Sequence, residues 1–168
     1  MERLFVTFST SKLKQLESRI QECLDRLSPE QIWWRPSEEN NSVANLVLHL
    51  TGNVRQWIIS SVGGAEDTRE RDAEFAARGQ EDLRQLRSGL SDTVAQAVQT
   101  IEGLSAARLA DSVRVQGYDK SVLEVVYHVV EHFSQHTGQI IYITKALQKQ
   151  DLGFYSHLKS ATHGEKTP

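Results

Sequence analysis

HVVEHFSQHTGQI, residues 128–140, sets three histidines at i, i+4 and i+8 inside an apolar run long enough for a buried helix. A helix rises about 1.5 Å per residue, so neighbouring histidines of this series can share one ion, whereas His128 and His136, about 12 Å apart, cannot. Helical phase chooses between the pairs. The apolar stripe is Val122, Val125, Val126, Val129, Phe133, Ile140, Ile143 and Leu147. At about 100° per residue, His136 falls roughly 20° from the centre of that stripe, His132 roughly 60° and His128 roughly 100°. His132 and His136 are therefore expected to point inward, with His128 on the shoulder. Two inward imidazoles are costly to bury without partners, so a metal pair is the expectation, and a third ligand has to come from elsewhere.

Working outward, Ser121-Val-Leu-Glu124 is a capping box that starts this helix, which runs to about Gln148. Gly138 lies inside it, away from the stripe, where it would permit a close neighbour at some cost in helix propensity. Another helix is expected from about Ser42 to Ser61, with an apolar stripe of Val43, Leu46, Val47, Leu50, Val54, Trp57 and Ile58. Beside it runs a polar stripe, Ser42, Asn45, His49, Asn53 and Gln56. His49, flanked one turn either way by amides, stands where a metal ligand and its supporting hydrogen bonds would be.

Two more long helices complete the pattern. Met1 to about Leu27 carries Phe5, Leu13, Leu16, Ile20, Cys23, Leu24 and Leu27 at three- and four-residue spacing. Cys23 lies on that stripe and reads as a small core residue. Gln80 to about Gly103 carries Leu83, Leu86, Leu90, Val94, Ala97 and Ile101, with nothing chemical on it. Ser28-Pro29-Glu30-Gln31 opens a short turn that Pro36 closes. Trp33 and Trp34 follow within it, to plug the core or line a pocket mouth. Val62 to Gly79 reads as a loop or frayed helix crossing between layers, its charged run Glu66–Glu74 a solvated face. Ser105 to Asp119 is a connector with a short turn at Ser105–Leu109, an extended stretch at Ser112–Gln116 and a turn at Gly117. In the tail, Leu152, Phe154, Tyr155 and Leu158 are candidates to dock, His157 and His163 lie outside any periodic face, and residues 161–168 are expected to fray.

The chain of 168 residues fits one domain over residues 1–160. A formal charge of −3 gives no electrostatic footprint for nucleic acid. No apolar run approaches a membrane span, and a single cysteine suits a reducing, cytoplasmic compartment. Four amphipathic helices argue for an all-α, antiparallel four-helix bundle, in which metal sites are built from inward side chains on facing helices. His49 with His132 and His136 would make a set of three imidazoles. Such a set suits zinc or nickel first, with iron, cobalt, copper or manganese as alternatives, and leaves a coordination position open. Asn53, Gln56, Glu131 and Gln139 are the nearest polar residues by spacing and the candidates to hydrogen-bond those ligands.

NSVANLVLHLTGNVRQWI (residues 41–58), HVVEHFSQHTGQI and DLGFY (residues 151–155) resemble the DinB/YfiT superfamily, and most closely a bacterial branch of unknown function within it. The resemblance implies an up-down-down-up bundle with a long crossover between its second and third helices, at Val62–Gly79. It also implies a divalent metal on His49, His132 and His136. The common HRGQ ending reads His136-Thr137-Gly138-Gln139 here, which keeps the ligands and loses the arginine. Characterised members include thiol-dependent S-transferases and a mycothiol-dependent isomerase, and others are labelled metal-dependent hydrolases. Homodimers are frequent. The expectation is a metal-dependent enzyme acting on an electrophilic small molecule with a low-molecular-weight thiol. The alternatives are a hydrolase using metal-bound water and a non-enzymatic metal- or ligand-binding bundle.

Overall fold

A computed structural model describes residues 1–156. Four long helices supply most of the core: α1 (Glu2–Leu24), α3 (Val43–Val54), α5 (Leu83–Glu102) and α7 (Val122–Gln148). Each packs on two others: α1 on α5 and α7, and α3 on the same two. The shorter elements are α2 (Pro29–Trp33), α4 (Arg71–Ala76), α6 (Ala106–Ala110), and the antiparallel strands β1 (Ser112–Val115) and β2 (Tyr118–Ser121). The molecule is thus mostly helical, with a small two-stranded sheet.

Local chemistry fixes the helix starts. Ser28, Ser42, Asp82 and Ser121 each cap a helix, and in each case the residue three on bonds back to the cap nitrogen. These reciprocal bonds satisfy backbone N–H groups that a helix start would otherwise leave unpaired. The fully buried side chains include Leu13, Ile20, Leu46, Leu50, Leu90, Ile101, Phe133 and Ile140, drawn from all four long helices.

Several expectations need correction. The second long helix does not run as α-helix to Ser61: it widens into a π-helical turn at Arg55–Ser60, which buries Trp57, Ile58 and Ile59 together. The connector's extended stretch is one arm of a hairpin, its turn made by Gln116 and Gly117, both at positive φ, and the returning arm hands Ser121 directly to α7. The core face of α7 passes through Thr137 and Thr144 rather than Ile143 and Leu147, which are only partly buried. Each threonine hydroxyl donates to the carbonyl four residues back, so its burial leaves no hydroxyl unpaired. That rotation moves His136 from near the centre of the face to its half-buried edge. Gly138 has open space around it, and the close approach to a helical glycine occurs on α3 instead, at Gly52. Trp57 is buried, Trp33 packs against the core, and Trp34 is exposed. Leu158, His157, His163 and residues 161–168 lie outside the described residues.

Candidate metal centre

The polar stripe of α3 faces the middle of α7, and there three imidazoles meet. His49 Nε2 lies 3.1 Å from His132 Nε2. His132 Nε2 lies 3.1 Å from His136 Nε2. All three candidate ligand atoms fall within 4.8 Å of one another, the one such group of three among the described residues. A tetrahedral ion with bonds of about 2.05 Å would hold its nitrogens about 3.3 Å apart, so the two 3.1 Å separations fit one shared cation. His49 is buried, and His132 and His136 are half-buried.

The outward nitrogens explain why the inward ones converge. His49 Nδ1 sits 2.9 Å from Glu74 Oε2. An ionised carboxylate only accepts, so it selects the tautomer with hydrogen on Nδ1 and a lone pair on Nε2. His136 Nδ1 lies 2.6 Å from Gln139 Oε1, which selects the same tautomer. Nitrogens that turn lone pairs toward one another at 3.1 Å repel unless a proton or a cation lies between them. A divalent ion satisfies every lone pair at once, and the donor set therefore fits it.

Glu74 is itself held on three sides. Burial alone would raise its pKa, but hydrogen bonds and charge from Arg69 and His49 outweigh that and hold it below the usual carboxylate value. Arg69 Nε donates to Glu74 Oε1 at 2.7 Å and Nη2 to Oε2 at 2.9 Å, a two-pronged contact. Arg69 Nη2 also approaches His49 Nδ1, at 3.2 Å, because both donors share one carboxylate oxygen. Gly52 makes room for this: a β-carbon there would stand 2.0 Å from Glu74 Oε1. Asn45 Nδ2 donates to the carbonyls of Glu74 and Ala77 at 2.9 and 3.1 Å, and the His49 ring lies against Phe75 at 4.7 Å.

The charged run Glu66–Glu74 is therefore no solvated face throughout. Arg69 and Glu74 are buried in it, and sequence reasoning missed both. The legible hint was Gly52, three residues beyond His49 on α3, marking the place where something packs close.

The other singled-out residues divide. Gln139 reaches His136. Gln56 does not touch the histidines. It accepts from Arg69 Nη1 at 3.0 Å and from Gln116 at 2.7 Å, and donates to Asp67 at 2.8 Å, pinning the crossover. Glu131 is exposed and lines a cavity of about 230 Å³ with His128 and Trp57. Asn53 is buried, and its Oδ1 has no partner. His128 stacks on Trp57, ring centres 4.2 Å apart, and takes no place in the cluster.

Burial keeps the two α7 histidines of the cluster neutral. Burial, followed by the neighbouring His136 and His49, lowers the pKa of His132 to about 3. Burial also lowers His136, against an opposing hydrogen bond from Gln139. Neutral imidazole is the form that binds metal.

Comparison with known proteins agrees with this architecture. A family model described as "Protein of unknown function (DUF1572)" matches residues 1–160. A conserved protein from Enterococcus faecalis superposes with a TM-score of 0.70 at 15% identity, covering 86% of this chain and 97% of that one. The DinB-like protein YjoA from Bacillus subtilis gives 0.67 at 16% identity, covering 88% and 96%. A DinB-like protein from Bacillus cereus gives 0.67 at 13%, covering 86% and 91%. At such identities the likeness speaks for the fold. No curated protein matches the chain. With the family model spanning nearly all of it, the chain belongs to the DUF1572 family of proteins of unknown function, and it shares its fold with DinB-like proteins.

Proposed function

We propose that this chain is a divalent-metal-dependent enzyme, with His49, His132 and His136 as the ligands and a low-molecular-weight thiol as the nucleophile toward an electrophilic small molecule. The observation that carries the metal is the outward pairing of His49 with Glu74 and of His136 with Gln139, which turns the Nε2 lone pairs to a common point. A structural zinc site closes with four protein ligands, whereas three imidazoles leave room for an exogenous one. Zinc and nickel suit this donor set best, with iron, cobalt, copper and manganese as alternatives. The bound ion would supply Lewis acidity, lowering the pKa of a thiol so that thiolate is present at neutral pH. The protein's own residues do the rest. Glu74 and Gln139 hold two rings in the binding tautomer, Arg69 keeps Glu74 an anion, and burial keeps His132 and His136 unprotonated.

The same reading takes the four long helices as an antiparallel bundle of up-down-down-up course, working in the cytoplasm as a homodimer. Leu4 and Phe8 on α1 are 72% and 65% exposed and offer apolar surface for such an association. Light scattering on the purified chain tests the dimer. No helix among the described residues is long and apolar enough to cross a membrane.

Turnover is tested with zinc- or nickel-loaded protein, a small thiol, and an epoxide or halogenated electrophile. A rate that needs both metal and thiol, and that vanishes in His132→Ala, supports the reading. Metal-dependent ester or amide cleavage without thiol would move the assignment to a hydrolase. Metal-loaded protein inert to both panels would make it a binding module.

A further inference from the structure

His49 and His136 each have an outward partner, and His132 has none: its Nδ1 is buried and unpaired. Two more buried polar atoms are also unpaired, Asn53 Oδ1 and Trp57 Nε1, on α3 and its π-helical end one and two turns beyond His49. Their residues are 4% and 5% exposed, so bulk water does not serve them. Buried polar atoms are nearly always hydrogen-bonded, because leaving one unpaired away from water costs its full desolvation, so three such atoms together call for a shared partner.

Their placement follows from the way α3 and α7 meet. His49 touches His132 and His136, while Trp57, two turns further along, stacks on His128. Residue number rises on one helix as it falls on the other, so the two run antiparallel here. By helical spacing Asn53, one turn from each of His49 and Trp57, falls on the rung between them, where α7 steps from His132 to His128, whose rings are 5.6 Å apart. With metal on Nε2, His132 presents an N–H at Nδ1, and Trp57 presents an N–H at Nε1. Asn53 presents a carbonyl oxygen. Two donors and one acceptor match what a water molecule takes and gives.

We propose that Asn53, Trp57 and His132 form a binding site for one buried water, which accepts from His132 Nδ1 and Trp57 Nε1 and donates to Asn53 Oδ1. This makes about three hydrogen bonds, the usual complement of a buried water. It gives the third ligand the outward acceptor that Glu74 and Gln139 give the other two, and makes Asn53 a positioning residue acting through the water. The role rests on the metal reading; the water site itself rests on the three unpaired atoms.

The test is a high-resolution crystal structure of the zinc-loaded protein, with zinc titrations of wild type, Asn53→Leu and Asn53→Ala. The expected result is one oxygen peak within about 2.7–3.2 Å of all three atoms. Both variants should still bind one zinc, with affinity about tenfold weaker. A well-ordered wild-type site that holds zinc but shows no such peak overturns the proposal, as does a direct Asn53–His132 hydrogen bond. Unchanged affinity in whichever variant folds overturns the positioning role. Wild type that takes up no zinc instead defeats the metal reading, and the peak, sought in the same crystals, still decides the water site.

Discussion

The two halves of the core are built from different materials. Where α1 meets α5, the large buried side chains are apolar, Leu13, Leu16, Ile20 and Leu24 against Leu86, Leu90, Val94 and Ile101, and the buried polar residues of these two helices are small hydroxyls, Ser9, Thr10 and Thr93. Polar groups there meet at the rim, as Gln21 does with Ser91 at 3.0 Å and with Arg87 at 2.8 Å. Where α3 meets α7 and the crossover, Asn45, His49, Asn53 and Glu74 are buried. Of the four buried polar atoms left without a partner among the described residues, Asn53 Oδ1, Trp57 Nε1 and His132 Nδ1 belong to this second side, and the fourth, Glu81 Oε2, borders a cavity with Gly52 and Glu74. The first half is what a helical protein needs to fold. The second spends stability on polar groups in low dielectric, which is where a binding function leaves its mark.

If that division is right, damage to the two halves has different consequences. Leu90→Ala in α5 should produce the largest loss of stability, about 2–5 kcal/mol by urea denaturation. Its folded fraction should nonetheless bind zinc with wild-type affinity. Weakened affinity per folded molecule would blur the comparison.

Glu74→Gln should do the reverse. Removing the carboxylate frees the tautomer of His49, and zinc affinity should fall about ten- to hundredfold in a competition titration. Gly52→Ala should move affinity in the same direction, since its methyl would displace the carboxylate. A Gly52→Ala protein of unchanged affinity would show that Glu74 is dispensable to the ligand it touches.

A smaller effect is expected from pH. His132 titrates near 3 in the folded protein against 6.5 without burial, and His128 and His136 shift the same way. Between those values the unfolded chain binds more protons than the folded one, so stability rises with pH. The metal-free protein should therefore lose stability progressively as pH falls below about 6.5. Glu74, held low, adds to the loss at more acid pH. Urea midpoints at pH 5.0 and 7.5 that coincide would contradict this.

The smallest response belongs to the apolar half. Cys23 is fully buried, and burial, partly offset by a hydrogen bond with Thr144, raises its thiol pKa. Native protein should react with a thiol reagent far more slowly than unfolded protein.

Much of this architecture was legible. The long helices follow from three- and four-residue spacing, two starts from capping boxes, and the pairing of His132 with His136 from periodicity, because all of these are local signals. What was not legible is what depends on distant partners. Glu74 is 25 residues from His49, and nothing in a charged run distinguishes the one carboxylate that turns inward. The π-helical turn at Arg55–Ser60 and the pairing of Tyr118–Ser121 are set by packing, which overrides local preference. The buried face of α7 shifted because Thr137 and Thr144 satisfy their hydroxyls within the helix and so behave as core residues.

The central claim is that three imidazoles share one ion, and metal content tests it most directly. Protein purified without a histidine tag, analysed by elemental mass spectrometry after incubation with zinc or nickel and exhaustive dialysis, should retain one ion per chain, and His132→Ala should retain none. Equal and negligible metal in both proteins would contradict the account.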